Sequence, residues 1–225
     1  MHNNNKRPFD DWMFSDKLGD ESGELIQILE PGDEEALKPE DIPDEMPILP
    51  VRNTVLFPGV VIPVTVGRSK SIKLVKKAYN GDRIIGVVAQ TNSNNEEPSS
   101  SDLYKTGTIA RILKMLVLPD GNTTIIIQGK NRFEISEVVK ETPYMTARIR
   151  LLEEYFPKES NKKLQALIAS LKESASNLLR LNPDIPQEAQ VALDNIENAS
   201  FLTHFLSSNV NVEVADKQKL LEIND

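Results

Sequence analysis

The chain has 225 residues, 39% hydrophobic and 27% charged, with a net charge of −8 and no cysteine. That length can bury a substantial core in one or two domains. The absence of cysteine excludes disulfides, thiolate metal sites and a cysteine nucleophile together. Residues 1–46 carry a net charge of −10, residues 47–157 one of +5, and residues 158–225 one of −3. The acidity therefore belongs mainly to the amino-terminal stretch.

Residues 1–45 read as a disordered acidic leader, because runs such as Glu30-Pro31-Gly32-Asp33-Glu34-Glu35 combine like charge with proline. A short apolar patch, Leu25 to Leu29, interrupts it. The start has no apolar signal core and no Arg-rich presequence. No apolar run is long enough to span a bilayer, so no membrane partner is expected and the reading is cytoplasmic.

Residues 46–156 read as a β-rich lobe with one helix. Met46 to Leu49 opens as a strand, and Pro50 to Thr54 looks like a turn. Val60 to Val66 is β-branched, but Pro63 removes a ladder donor and so belongs at an edge or a bulge. A helix follows, with Ser69 or Ser71 as its cap, Ile72, Val75 and Tyr79 as its apolar stripe, and Asn80-Gly81 as its end. Ile84 to Ala89 is a nearly continuous apolar run, as in a strand buried on both faces. The polar stretch Asn92 to Asp102 reads as a mobile loop. Thr106 to Leu118 and Thr123 to Gln128 flank Pro119-Asp120-Gly121-Asn122, a hairpin signal. Phe133 and Ile135 alternate with charged residues in a further strand, and Met145, Ala147, Ile149 and Leu151 line one face of the last.

Residues 157–225 change to a helical period. Leu164, Leu167, Ile168, Leu171, Ala175, Leu178 and Leu179 mark a long amphipathic helix, broken at Asn182-Pro183-Asp184-Ile185-Pro186. Shorter helices carry Leu193 and Ile196, then Phe201 to Leu206. A last one begins near Val214 and still looks helical at Leu220 to Ile223, as if cut short. The fold class expected is α+β: a β-rich pseudo-barrel lobe, then a helical bundle.

Chemistry is sparse. No G-x-x-x-x-G-K-[ST] phosphate loop, G-x-G-x-x-G loop or G-x-S-x-G elbow occurs. His2 and His204 are the only histidines, and neither has neighbours at ligand spacing. Ser69-Lys70-Ser71 reads as a helix start rather than a dyad, and Glu96-Glu97 and Glu153-Glu154 as surface charge. Catalytic, cofactor and metal residues are therefore expected to be none. The basic residues Arg111, Lys114, Lys130, Arg132, Arg148 and Arg150 lack interleaved aromatics, so nucleic acid is at most a weak, non-specific partner.

The phrase Pro47-Ile48-Leu49-Pro50-Val51-Arg52-Asn53-Thr54-Val55-Leu56-Phe57-Pro58-Gly59 resembles the pattern that opens the substrate-binding domain of Lon proteases. Val66-Gly67-Arg68, Leu103 to Ala110, Leu118 to Gly121, Gly129 to Phe133 and Leu181 to Pro186 continue the likeness in order. On physical grounds Pro47, Pro50 and Pro58 should fix a sharp connection and Gly59 should supply a positive φ. Arg52 should satisfy loop carbonyls, and Phe57 should plug the core. The resemblance implies a module that binds unfolded or damaged polypeptides. It also implies ATPase and Ser–Lys peptidase modules further along the same chain, using ATP and Mg, in a homo-hexamer. A stand-alone protein of this domain type and a nucleic-acid-binding pseudo-barrel are the alternatives. The contact surface expected for polypeptide is the apolar run Met115, Leu116, Val117 and Leu118.

Overall fold

The computed structural model describes residues 37–117, 123–153, 162–181, 190, 193–196 and 198–223. The strands are β1 (Met46–Val51), β2 (Val61–Val66), β3 (Ile84–Ala89), β4 (Thr106–Val117), β5 (Thr123–Lys140) and β6 (Thr146–Leu151). The helices are α1 (Ser69–Tyr79), α2 (Lys162–Leu181), α3 (Ala199–Asn209) and α4 (Val214–Glu222). The class is mixed α+β, as the sequence predicts.

Strand order is β2-β5-β4-β3-β1-β6, and β6 pairs again with β5. Five strands therefore close a ring, with β2 added along β5. All pairs are antiparallel except β1 with β3. The 18-residue β5 takes part in three pairings, with β2 and β4 at its start and β6 at its end. The sequence divides it into two strands. Register shifts at Thr108/Ala110 and Ile112/Lys114 against β4, and at Ile135/Glu137 and Val138/Lys140 against β6, supply the coiling that lets one long strand do both.

β1 and β3 separate two apolar clusters. Leu49, Val51, Ile85 and Val87 join Leu74, Val75 and Ala78 of α1 on one side. Met46, Ile48, Ile84 and Val88 join Ile109, Phe133 and Ala147 on the other. Every residue of β3 is buried, matching its unbroken apolar run.

Pro50 was expected in a turn, yet it lies within β1. The Ile48 N–H donates to Met145 O at 2.9 Å, and the Gln90 N–H donates to Val51 O at 3.0 Å. The Pro50 nitrogen therefore faces the same edge as Ile48, past the end of the β6 register at Met46 and Pro47, where no donor is needed. Pro63 behaves as expected. The Gly129 N–H donates to Val60 O, which makes Pro63↔Ile126 a non-hydrogen-bonded pair and turns the proline nitrogen outward on an edge strand.

Three boundaries differ from expectation. Residues 37–45, assigned to the leader, pack on the lobe. Leu37 is buried beside Met46 and Ile48, and its N–H donates to Asn131 Oδ1 at 2.7 Å. Residues 1–36 lie outside the described residues, as do Leu118 to Asn122 and the break at Asn182 to Pro186. The last helix ends at Glu222, with Ile223 extended. Finally, α4 does not belong to a bundle alone. Its Leu221 is buried with Val55, Phe57 and Val60, and Gln218 Nε2 donates to Thr106 O at 3.0 Å.

Candidate functional site

The polypeptide contact expected at Met115 to Leu118 falls at the far end of the β4–β5 hairpin. Registers place Val64, Ile125 and Met115 in one transverse row, and Thr65, Thr124 and Leu116 in the next. Successive strand residues face opposite ways. Met115 accordingly packs against the α1 cluster, while Leu116 lies half-buried on the outer face beside Thr65 and Thr124. The two threonine hydroxyls are 3.0 Å apart. Val117 returns to the face of Met115 and is 63% exposed. Leu118 lies outside the described residues.

A further property of this tip escaped the sequence reading. β3 pairs with β4 only through Arg111, and the Ile112 N–H donates to Arg83 O at 2.8 Å. Beyond that point, among the described residues, no strand pairs with the second edge of β4 at Leu113 to Val117. Open strand edges present backbone donors and acceptors to another extended chain. The only cue in the sequence is that β4 is twice as long as β3, twelve residues against six.

The opening motif is a structural joint. Phe57 is fully buried, against His204 at a centroid distance of 6.0 Å. Gly59 adopts φ +75°, and an added Cβ would sit 2.6 Å from Phe201. A Cβ on Gly129 would sit 2.1 Å from the Phe57 carbonyl oxygen, so the two motif segments touch backbone to backbone. The Gly59 N–H also donates to Gly129 O at 2.9 Å. Pro58 and Gly59 line a groove with Lys130, Arg132, Phe201 and His204.

Arg52 reaches a carbonyl of residues 92–102 rather than its own turn, with Nη2 at 3.5 Å from Glu96 O. Arg68 takes the nearer role, donating to Pro50 O and to Gln90 Oε1. Burial pulls its pKa down first, then the neighbouring Arg52 charge. Gln90 donates onward to Asn92 O and Asn95 O. The loop read as mobile is thus internally bonded: Asp102 accepts from the Ser99 hydroxyl and N–H and from Asn95 Nδ2. The Ser99 bonds hold the Asp102 carboxyl below its usual pKa, and the Ser100 N–H does the same for Glu141.

Among the described residues no group of three or more His, Asp or Glu is arranged to hold a metal ion, and no helix is long and apolar enough to cross a membrane.

Comparison with known proteins agrees with this geometry. A Lon protease of Cytophaga hutchinsonii is 58% identical over 92% of the chain, and one of Flavobacterium johnsoniae 54% over 91%. The chain spans about a quarter of the length of these relatives, 26% and 25%. Among solved structures, the N-terminal domain of a Mycobacterium avium complex Lon protease shares the fold at a TM-score of 0.63 and 20% identity, covering 80% of this chain and 91% of that one. The family model for the ATP-dependent protease La (LON) substrate-binding domain matches residues 45–225, and the chain belongs to that family.

Proposed function

We propose that this chain recognises unfolded or damaged polypeptide for an ATP-dependent Lon protease acting in cytoplasmic protein quality control. ATP and Mg, the Ser–Lys peptidase and the homo-hexamer belong, in this proposal, to the remainder of a longer protein. The observation carrying the reading is the open β4 edge with Leu116 and Val117 beside it. Backbone hydrogen bonding along an edge is indifferent to sequence, and shallow apolar contact tolerates many side chains. Both suit a receptor for chains that share only their lack of structure. The β2 edge is blunted by Pro63, which leaves β4 as the receptive side.

The test is binding of a denatured model protein to the wild type and to Leu116→Asp and Val117→Asp, with folding checked by thermal melting. Met115→Asp is avoided because Met115 packs into the core. Wild-type affinity of about micromolar strength is expected, falling about tenfold or more in each variant. Undiminished binding by both folded variants would sink the assignment.

A further inference from the structure

The helix α2 has no fully buried residue. Ile168, Ala175 and Leu179 are half-buried on the face where Lys172 donates to Asp194 O at 3.3 Å and Ser176 meets Gln190. A second apolar row runs about a quarter turn around the helix from the first. It consists of Leu167, Leu171, Leu178 and Leu181, which are 40% to 80% exposed. With Ser174 in its middle place, the row steps by four, three, four and three residues. That is the seam of a helix that packs lengthwise against another apolar segment. Left open, four leucines in line attract other chains.

The charge on α2 narrows the occupant. Lys162, Lys163, Lys172 and Arg180 stand against one acid, Glu173, so the helix is net basic. Two copies of α2 laid seam to seam would bring like charges together. An acidic segment with an apolar centre fits instead, and the chain supplies one. Residues 20–35 hold seven acids and no base, and the apolar cluster within them is Leu25-Ile26-Gln27-Ile28-Leu29. Leu25, Ile28 and Leu29 are spaced to share one face of a helical turn, the anchor pattern by which one helix lies in the groove of another.

The segment can reach. Eight residue steps separate Leu29 from Leu37, which is bonded to the lobe, and an extended chain of that length spans about 26–29 Å. Pro39 lines the same groove as Asn198. Asn198 is two residues from Ile196, whose carbonyl accepts from Lys172 of α2 at 2.5 Å. The chain therefore leaves the lobe on the side where α2 sits.

We infer that the acidic leader folds back onto α2, with Leu25, Ile28 and Leu29 on the outer leucine row and the flanking acids beside the bases of that helix. The leader is then an internal cover for α2, an interaction that does not depend on the polypeptide-recognition reading.

The chain has no cysteine, so Ser22→Cys gives a single attachment point for a nitroxide beside the docking segment. In the whole chain, amide signals of residues 167–181 should lose at least half their intensity to the nitroxide and recover it on reduction. Those of β3 should stay unchanged. Leu25→Asp with Ile28→Asp in the labelled chain should abolish the loss. Leu171→Gln with Leu178→Gln, both at exposed positions, should abolish it too, with unmoved β3 shifts showing that the lobe is folded. Mixing a labelled chain with an isotope-enriched chain that carries no nitroxide should leave residues 167–181 of the second chain at full intensity. The inference is overturned by signals that keep their intensity in the labelled chain, or by losses centred on the β4 edge or the groove at Phe201. A loss that survives either pair of substitutions, or one that appears in the second chain of the mixture, overturns it as well.

Discussion

At the scale of single residues, Gly129 carries the sharpest demand. A Cβ at this position would meet the Phe57 carbonyl at 2.1 Å, and that neighbour is backbone that cannot rotate aside. Gly129→Ala should therefore cost about 2–4 kcal/mol, at the upper end of single substitutions, as read from urea unfolding. A cost under ~1 kcal/mol would show that the joint yields. Asp102 sets a pH dependence. Its folded pKa is depressed, chiefly by the Ser99 hydroxyl, so its stabilisation is present above the unfolded value. That stabilisation is lost as pH falls through the folded value. Below about pH 4 the wild-type thermal midpoint should fall more steeply than that of Asp102→Asn. Parallel profiles would mean the Ser99 bonds add nothing to folding. None of this was read from the sequence. Asp102 looked like one more polar residue among Asn92 to Asp102, because the capping-box spacing Ser99-x-x-Asp102 went unread and the Asn95 contact exists only once the turn is closed.

At the scale of elements, local pattern and long-range context part company. The apolar run of β3, the hairpin and the end of α1 at Asn80 were readable, since each depends on neighbours within a few residues. Pro50 was misplaced in a turn, because its tolerance in β1 depends on where a partner strand stops, a hundred positions away in sequence. The open edge of β4 was missed for the same reason. The seat of α4 was also hidden. Arg132 on β5 is buried, and its Nη1 donates to Leu221 O at 2.8 Å and Ile223 O at 2.6 Å. A guanidinium thus satisfies the last carbonyls of the helix and complements its dipole. Both bonds come from the one Nη1 nitrogen, so Arg132→Met, which keeps an apolar stem but removes the charge and the donors, deletes them together. Hydrogen exchange in residues 214–222 should accelerate at least tenfold in this variant, while exchange in β3 stays unchanged. Equal exchange in both proteins would assign the seating of α4 to Leu221 and Gln218 instead.

At the scale of the whole molecule, the class and the order of its parts were legible because the period of apolar residues changes from two to about three and a half near residue 158. The pseudo-barrel expected from the sequence is there as a ring, but which strands close it carries no local mark, since β1 and β6 pair at Met46↔Ala147 and Pro47↔Thr146. That meeting has a consequence during synthesis. A strand near the start of the ring must wait for one made 101 residues later. At the ~5–20 residues per second of a ribosome, β1 emerges roughly 5–20 s before β6 exists. Until β6 arrives, Met46 and Ile48, both fully buried in the finished protein, lack the Met145 and Ala147 side of their cluster. For those seconds the newborn chain is itself the kind of polypeptide that the function proposed above would have it bind.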